Sequence, residues 1–148
     1  MKLVIIAPSL LLFFLLVGNS PIGAVTFSHQ CQSTFFSDES LTYKTEQLSV
    51  YAKLFLEVHC EVLLRGEYII NTQWMDEQGM LRTEREHKFK LGFPRSYSAV
   101  FKFKQMPIGS LNRLASGKDF NEYQYGRWSV LIFINGEEID RKYFTITE

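Results

Sequence analysis

The side chains best suited to nucleophilic, metal-binding or acid–base chemistry are Cys31 and Cys60, His29, His59 and His87, and the acidic pair Asp76–Glu77. A thiolate nucleophile needs a base within hydrogen-bond reach, and His59 precedes Cys60 directly. The surrounding stretch "VYAKLFLEVHCEVLL" argues against that use. Its even positions from Val50 to Leu64 are apolar, while Lys53, Glu57, His59 and Glu61 fall on odd positions. Neighbours on a strand point to opposite faces, so His59 is turned away from Cys60. Cys60 is therefore expected on a buried face, joined to Cys31 in a structural disulfide. No C-x-x-C or H-x-x-x-H spacing marks a metal site. Asp76 and Glu77 stand in "DEQG", where they read as turn formers rather than as a catalytic dyad. No phosphate loop, nucleophile elbow or glycosylation sequon occurs. No catalytic residue, cofactor or metal is expected.

The elements that would position these residues are strands. "GEYIINTQWM" places Tyr68, Ile70, Thr72 and Trp74 on one face, and the turn Asp76–Gly79 follows. "LRTEREHKFKL" returns with Thr83, Arg85, His87, Phe89 and Leu91 on one side. "SYSAVFKFKQMP" turns Tyr97, Ala99, Phe101 and Phe103 inward and stops at Pro107, which cannot donate to a ladder. From Ile108 to Tyr125 no period holds, apart from a short helical turn expected near Leu111–Ala115. Such a long connection is often functional. Near the C-terminus, Asn135–Gly136 is a strong signal for a type I′ hairpin. Trp128, Val130, Ile132 and Ile134 precede it in one phase. Phe144 and Ile146 follow it out of phase with Ile139 and Tyr143, which requires either a bulge near Asp140–Lys142 or a strand covered on both sides. Trp74 and Trp128 are read as core aromatics.

The chain opens on "MKLVIIAPSLLLFFLLVGNSPIGAVTF". One cation, Lys2, precedes an apolar run from Leu3 to Val17, and small residues close at Gly23–Ala24. This is the layout of a secretory signal peptide, with cleavage expected after Ala24. The apolar run is shorter than the ~20 residues a spanning helix needs; retention as an anchor is the alternative. Residues 25–148 then form one domain, exported to the periplasm or secreted.

Strands with turn signals between them and an inter-strand cysteine pair predict an all-β domain, a single antiparallel immunoglobulin-like β-sandwich. A small closed β-barrel of lipocalin type is the architectural alternative. The pattern Trp74-x-Asp76-x-x-Gly79, then Gly126-x-Trp128-x-Val130-x-Ile132-x-x-Asn135-Gly136 and Phe144-x-Ile146, resembles bacterial extracytoplasmic immunoglobulin-like accessory modules. That resemblance implies a scaffold that binds something and brings no shared catalytic residues with it.

Charge is unevenly spread. Over the whole chain 16 basic side chains balance 16 acidic ones, so no bulk attraction to nucleic acid is expected. Residues 82–104, however, hold seven cations and two acids, while the rest of the expected mature chain holds eight and fourteen. If the two strands of this window pair as a hairpin, Lys88, Lys90, Lys102 and Lys104 share its outer face, with Arg82 at the end. That strip would be a docking face for an acidic protein or an anionic envelope component. Three function classes follow: an exported non-enzymatic binding or accessory module, which we favour, a carrier of small molecules in a hollow interior, and a hydrolase with an unrecognised site.

Overall fold

The computed structural model describes residues 30–148; the expected leader 1–24, its cleavage point and His29 lie outside them. Eight strands follow in chain order: β1 (Cys31–Phe36), β2 (Gln47–Ser49), β3 (Lys53–Leu63), β4 (Gly66–Met75), β5 (Leu81–Leu91), β6 (Arg95–Lys104), β7 (Gly126–Ile134) and β8 (Glu137–Thr147). The aperiodic stretch contributes α1 (Ser110–Ser116) and a 3-10 turn at Glu122–Gln124. The fold is all-β, in two sheets. One has the order β1-β3-β6, the other β2-β8-β7-β4-β5. One of the two curls as a half-barrel. The sheets do not close on each other, because β5 pairs only with β4, and β6 only with β3.

Two expectations are corrected here. The sheets are not wholly antiparallel, since β2 lies parallel to β8, with Leu48 opposite Ile146. Between β1 and β2 the chain folds back on itself. Thr45 N–H donates to the Phe35 carbonyl, and the Asp38 carboxylate accepts from the N–H groups of Thr42 and Tyr43. The second correction concerns β5 and β6. They are not a hairpin but the last strands of opposite sheets, joined across the sandwich through Gly92–Pro94. Pro94 offers no N–H to a two-strand ladder at this corner.

The alternation read in the sequence decides which faces meet. Leu54, Leu56, Val58 and Cys60 of β3 face Ile70 and Trp74 of β4 and the inward row of β7, all of them buried. An aromatic cluster fills the middle: Trp74 stacks on Phe103 at 4.8 Å, and Trp128 and Phe144 lie 5.3 and 5.7 Å from the same ring. Burying side chains of this size contributes about 1.5–3 kcal/mol each. Cys31 and Cys60 sit directly opposite in the β1–β3 ladder, with Cα atoms 4.0 Å apart, and are disulfide-bonded. Asn135 (φ 50°) and Gly136 (φ 86°) make the primed turn, and the Asn135 side-chain oxygen accepts the N–H of Ile69. In β8 a bulge accounts for Ile139, while Tyr143, beyond it and out of phase with Phe144, is exposed. Ile132 faces Asp140 while Phe133 faces Glu138, so Ile139 is the extra residue.

Candidate binding site

The topology divides the basic window. Lys88 and Lys90 lie on the outer face of the five-stranded sheet, opposite Ile69 and Glu67. Both are committed locally, Lys88 to Glu86 at 3.0 Å and Lys90 to Glu67 at 2.8 Å. Lys90 and Glu67 hold each other charged: the hydrogen bond and then the charge attraction raise the ammonium pKa and lower that of the carboxyl. Lys102 lies on the outer face of the other sheet, its ammonium 5.8 Å from the centre of the Phe55 ring. The expected single strip through Lys88, Lys90, Lys102 and Lys104 is therefore not formed, because its two strands belong to opposite layers.

What the fold does bring together is a different set. At the end of the sandwich where β5 begins and β6 ends, the two edge strands frame a cleft of about 340 Å³. Arg82, Thr83 and Arg85 come from β5; Phe103 and Lys104 come from β6. Tyr123 and Gln124 of the 3-10 turn close one side, and Trp128 lines the interior. Arg82 and Lys104 were in the expected docking set. Arg85 was passed over because its phase points inward, opposite the buried Thr72. An arginine on the inward row of an edge strand was the signal that could have found the cleft.

Each wall is fixed by local chemistry. Arg82 is held by the buried Asp76, with its Nε and a terminal nitrogen both 2.6 Å from Oδ2, and its guanidinium lies 4.0 Å over the Tyr123 ring. The other Asp76 oxygen accepts the N–H groups of Gln78 and Met80, which shapes the turn. Burial alone would raise the Asp76 pKa. The Met80 N–H, Arg82 and the Gln78 N–H outweigh it and hold the carboxyl below its ordinary range. The opposite wall rests on two buried amides. Gln124 Nε2 donates to Gln105 Oε1 at 3.1 Å and to the Met106 carbonyl at 2.8 Å, and its Oε1 caps the N–H of Asn121. This clamp ties residues 105–125 to the mouth. Gly126 follows at φ 87°, where an added Cβ would meet the Glu77 carboxylate.

The remaining chemistry-bearing residues are placed apart. His59 pairs with Ser98 on the outer face at 2.7 Å, away from the disulfide. His87 reaches across between the sheets to the Tyr97 hydroxyl at 2.7 Å, beside Phe89, which stacks on Tyr97 at 3.7 Å. That group seals the other half of the β5–β6 side. Among the described residues, no three His, Cys, Asp or Glu side chains converge as a metal site. A second concavity of about 610 Å³ lies on the outer face of the five-stranded sheet, where Glu84 accepts from the Asn71 and Gln73 amides.

No family model matches this chain, and no curated protein matches it. Solved structures do. A β-glucosidase from Listeria innocua in complex with glucose aligns with a TM-score of 0.50 at 11% identity, over 81% of this chain and 16% of that one. The alkylpurine DNA glycosylase AlkC of Pseudomonas fluorescens, bound to DNA containing an abasic site analog, aligns at 0.48 and 11% identity, over 81% of this chain and 31% of the glycosylase. The chain thus spans less than a third of either neighbour. The likeness to the β-glucosidase is one of fold.

Proposed function

We propose that this chain is an exported binding module of immunoglobulin-like sandwich type, which takes an acidic protein segment at the mouth between β5 and β6. The observation that carries the reading is the convergence of Arg82, Arg85 and Lys104 on one cleft, from strands that belong to different sheets. Both flanking strands are sheet edges, and edges offer backbone donors and acceptors to an extended peptide. The aromatic filling between the layers favours recognition at this mouth over carriage of a ligand inside. The disulfide and the leader-like N-terminus support export. The arrangement of three and five strands with a filled interface supports the immunoglobulin-like reading.

Charge reversal separates this mouth from the rest of the basic window. In capture from the native envelope extract at low salt, Arg85→Glu with Lys104→Glu abolishes retention of the partner. Lys88→Glu with Lys90→Glu leaves it intact, and both double variants keep their unfolding midpoint, since exposed charges stabilise little. Raised salt weakens capture by the unaltered protein. Equal behaviour of the two variants, or retention of an anionic glycan in place of a protein, sinks the proposal.

A further inference from the structure

Trp128 carries an unanswered hydrogen-bond donor. The residue is 1% exposed, and among the described residues its indole Nε1–H has no acceptor. Trp74 makes the contrast, because its Nε1–H donates to Thr72 Oγ1 at 3.0 Å. Buried polar groups are normally partnered, and an orphan donor costs free energy until something supplies an oxygen. The cleft's own polar side chains do not supply it, since Gln105 and Gln124 are spent on each other, on the Met106 carbonyl and on Asn121. The rim has the opposite surplus. Arg82 is neutralised by Asp76, but Arg85 and Lys104 are in no ion pair among the described residues.

Resting on the binding reading above, we infer that the cleft is an oxyanion site. Arg85 and Lys104 pair the anion, and the Trp128 indole N–H donates to one of its oxygens. Charge-assisted bonds of this kind are short and strong, and an indole donor at the base fixes the orientation of what the two cations attract. Trp128 lines the cleft, and Lys104 and Met106, which also line it, are exposed. At about 340 Å³ the cleft fits a compact group such as a carboxylate, sulfate or phosphate with its first substituents.

The two tryptophans make the test specific, because the ¹⁵N-labelled protein gives one indole resonance for each. Acetate, inorganic sulfate and inorganic phosphate are titrated separately against chloride at matched ionic strength. The Trp128 indole resonance, assigned through Trp128→Phe, moves downfield and saturates, while that of Trp74 stays in place. Saturation by acetate points to a carboxylate ligand; saturation by sulfate or phosphate alone points to a sulfated or phosphorylated one. Arg85→Gln with Lys104→Gln, whose surface changes spare the core, weakens the titration at least about tenfold. The inference is overturned if no anion gives a saturable shift, or if both indoles drift together. It is also overturned if a bound water, seen as a persistent exchange peak at the Trp128 indole, survives every titration. A flat titration alongside charge-dependent capture removes the oxyanion site and leaves the module reading standing. Saturation alongside charge-independent capture does the reverse.

Discussion

Asp76 shows how much one side chain can organise. It shapes the turn after β4 through two backbone N–H groups and holds Arg82 over Tyr123 at the cleft. In Asp76→Asn one oxygen remains for the Gln78 and Met80 N–H groups, but an amide NH2 meets the Arg82 donors, so the change is expected to cost about 2–3 kcal/mol in chemical denaturation at neutral pH. The sign of the pH effect follows from the lowered folded-state pKa. The carboxylate's contribution is complete above the unfolded value of about 3.9 and disappears as pH falls through the lower folded value. The gap between wild type and Asp76→Asn is therefore expected to narrow below about pH 4. A gap of constant size down to strong acid would show that Asp76 acts through shape alone. The turn role was legible in Trp74-x-Asp76-x-x-Gly79. The grip on Arg82 was not, because it depends on the side-chain path after the turn has closed.

At the scale of the elements, strand faces were legible and strand neighbours were not. Alternation placed Tyr68 to Trp74, Tyr97 to Phe103 and Trp128 to Ile134 on the buried side, where they are found in the main. It also required either a bulge near Asp140–Lys142 or a strand covered on both sides, and a bulge is found at Ile139. Period two says which way a residue faces but is silent about which strand lies alongside. That is why β5 and β6 looked like a hairpin, and why the short β2 went unseen. The cysteine pair was the exception, because a covalent bond names its own neighbour. Cys31–Cys60 closes a separation of 29 residues at the start of β1. In the chain-entropy model such a loop is worth roughly 3–4 kcal/mol. Replacing both cysteines by alanine is expected to lower the unfolding midpoint by more than about 10 °C. Amide exchange should speed up first in β1. An unchanged midpoint would mean that the ladder alone holds this strand.

On the scale of the whole molecule, the two sheets meet along a side that is sealed at one end and open at the other. His87, Phe89 and Tyr97 form the seal, and Arg82, Arg85 and Lys104 frame the opening. The seal is expected to keep β5 and β6 at the spacing the cleft needs. Tyr97→Phe removes one hydrogen bond and should cost about 1 kcal/mol, while Tyr97→Ala also removes the stack and should cost about 3 kcal/mol. Oxyanion affinity at the cleft should fall with the second substitution and hardly with the first. Equal affinities in both variants would make the two ends independent. The uneven charge of the chain was visible in its sequence, but the meeting of Arg82, Arg85 and Lys104 at one mouth came from the crossing between layers.

The bulge at Ile139 also decides which changes of length β8 can survive. Deleting Ile139 would join two stretches of ladder that already match, and Phe144 and Ile146 would keep their places in the core. Deleting Thr145 instead, beyond Phe144, would break the phase between Phe144 and Ile146 and turn one of them out to water, as a slipped reading frame changes every letter downstream. A gain or loss of one residue is thus nearly silent at one position of this strand and ruinous a few residues later. Among sequences descended from this fold, single-residue gaps should collect at the bulge.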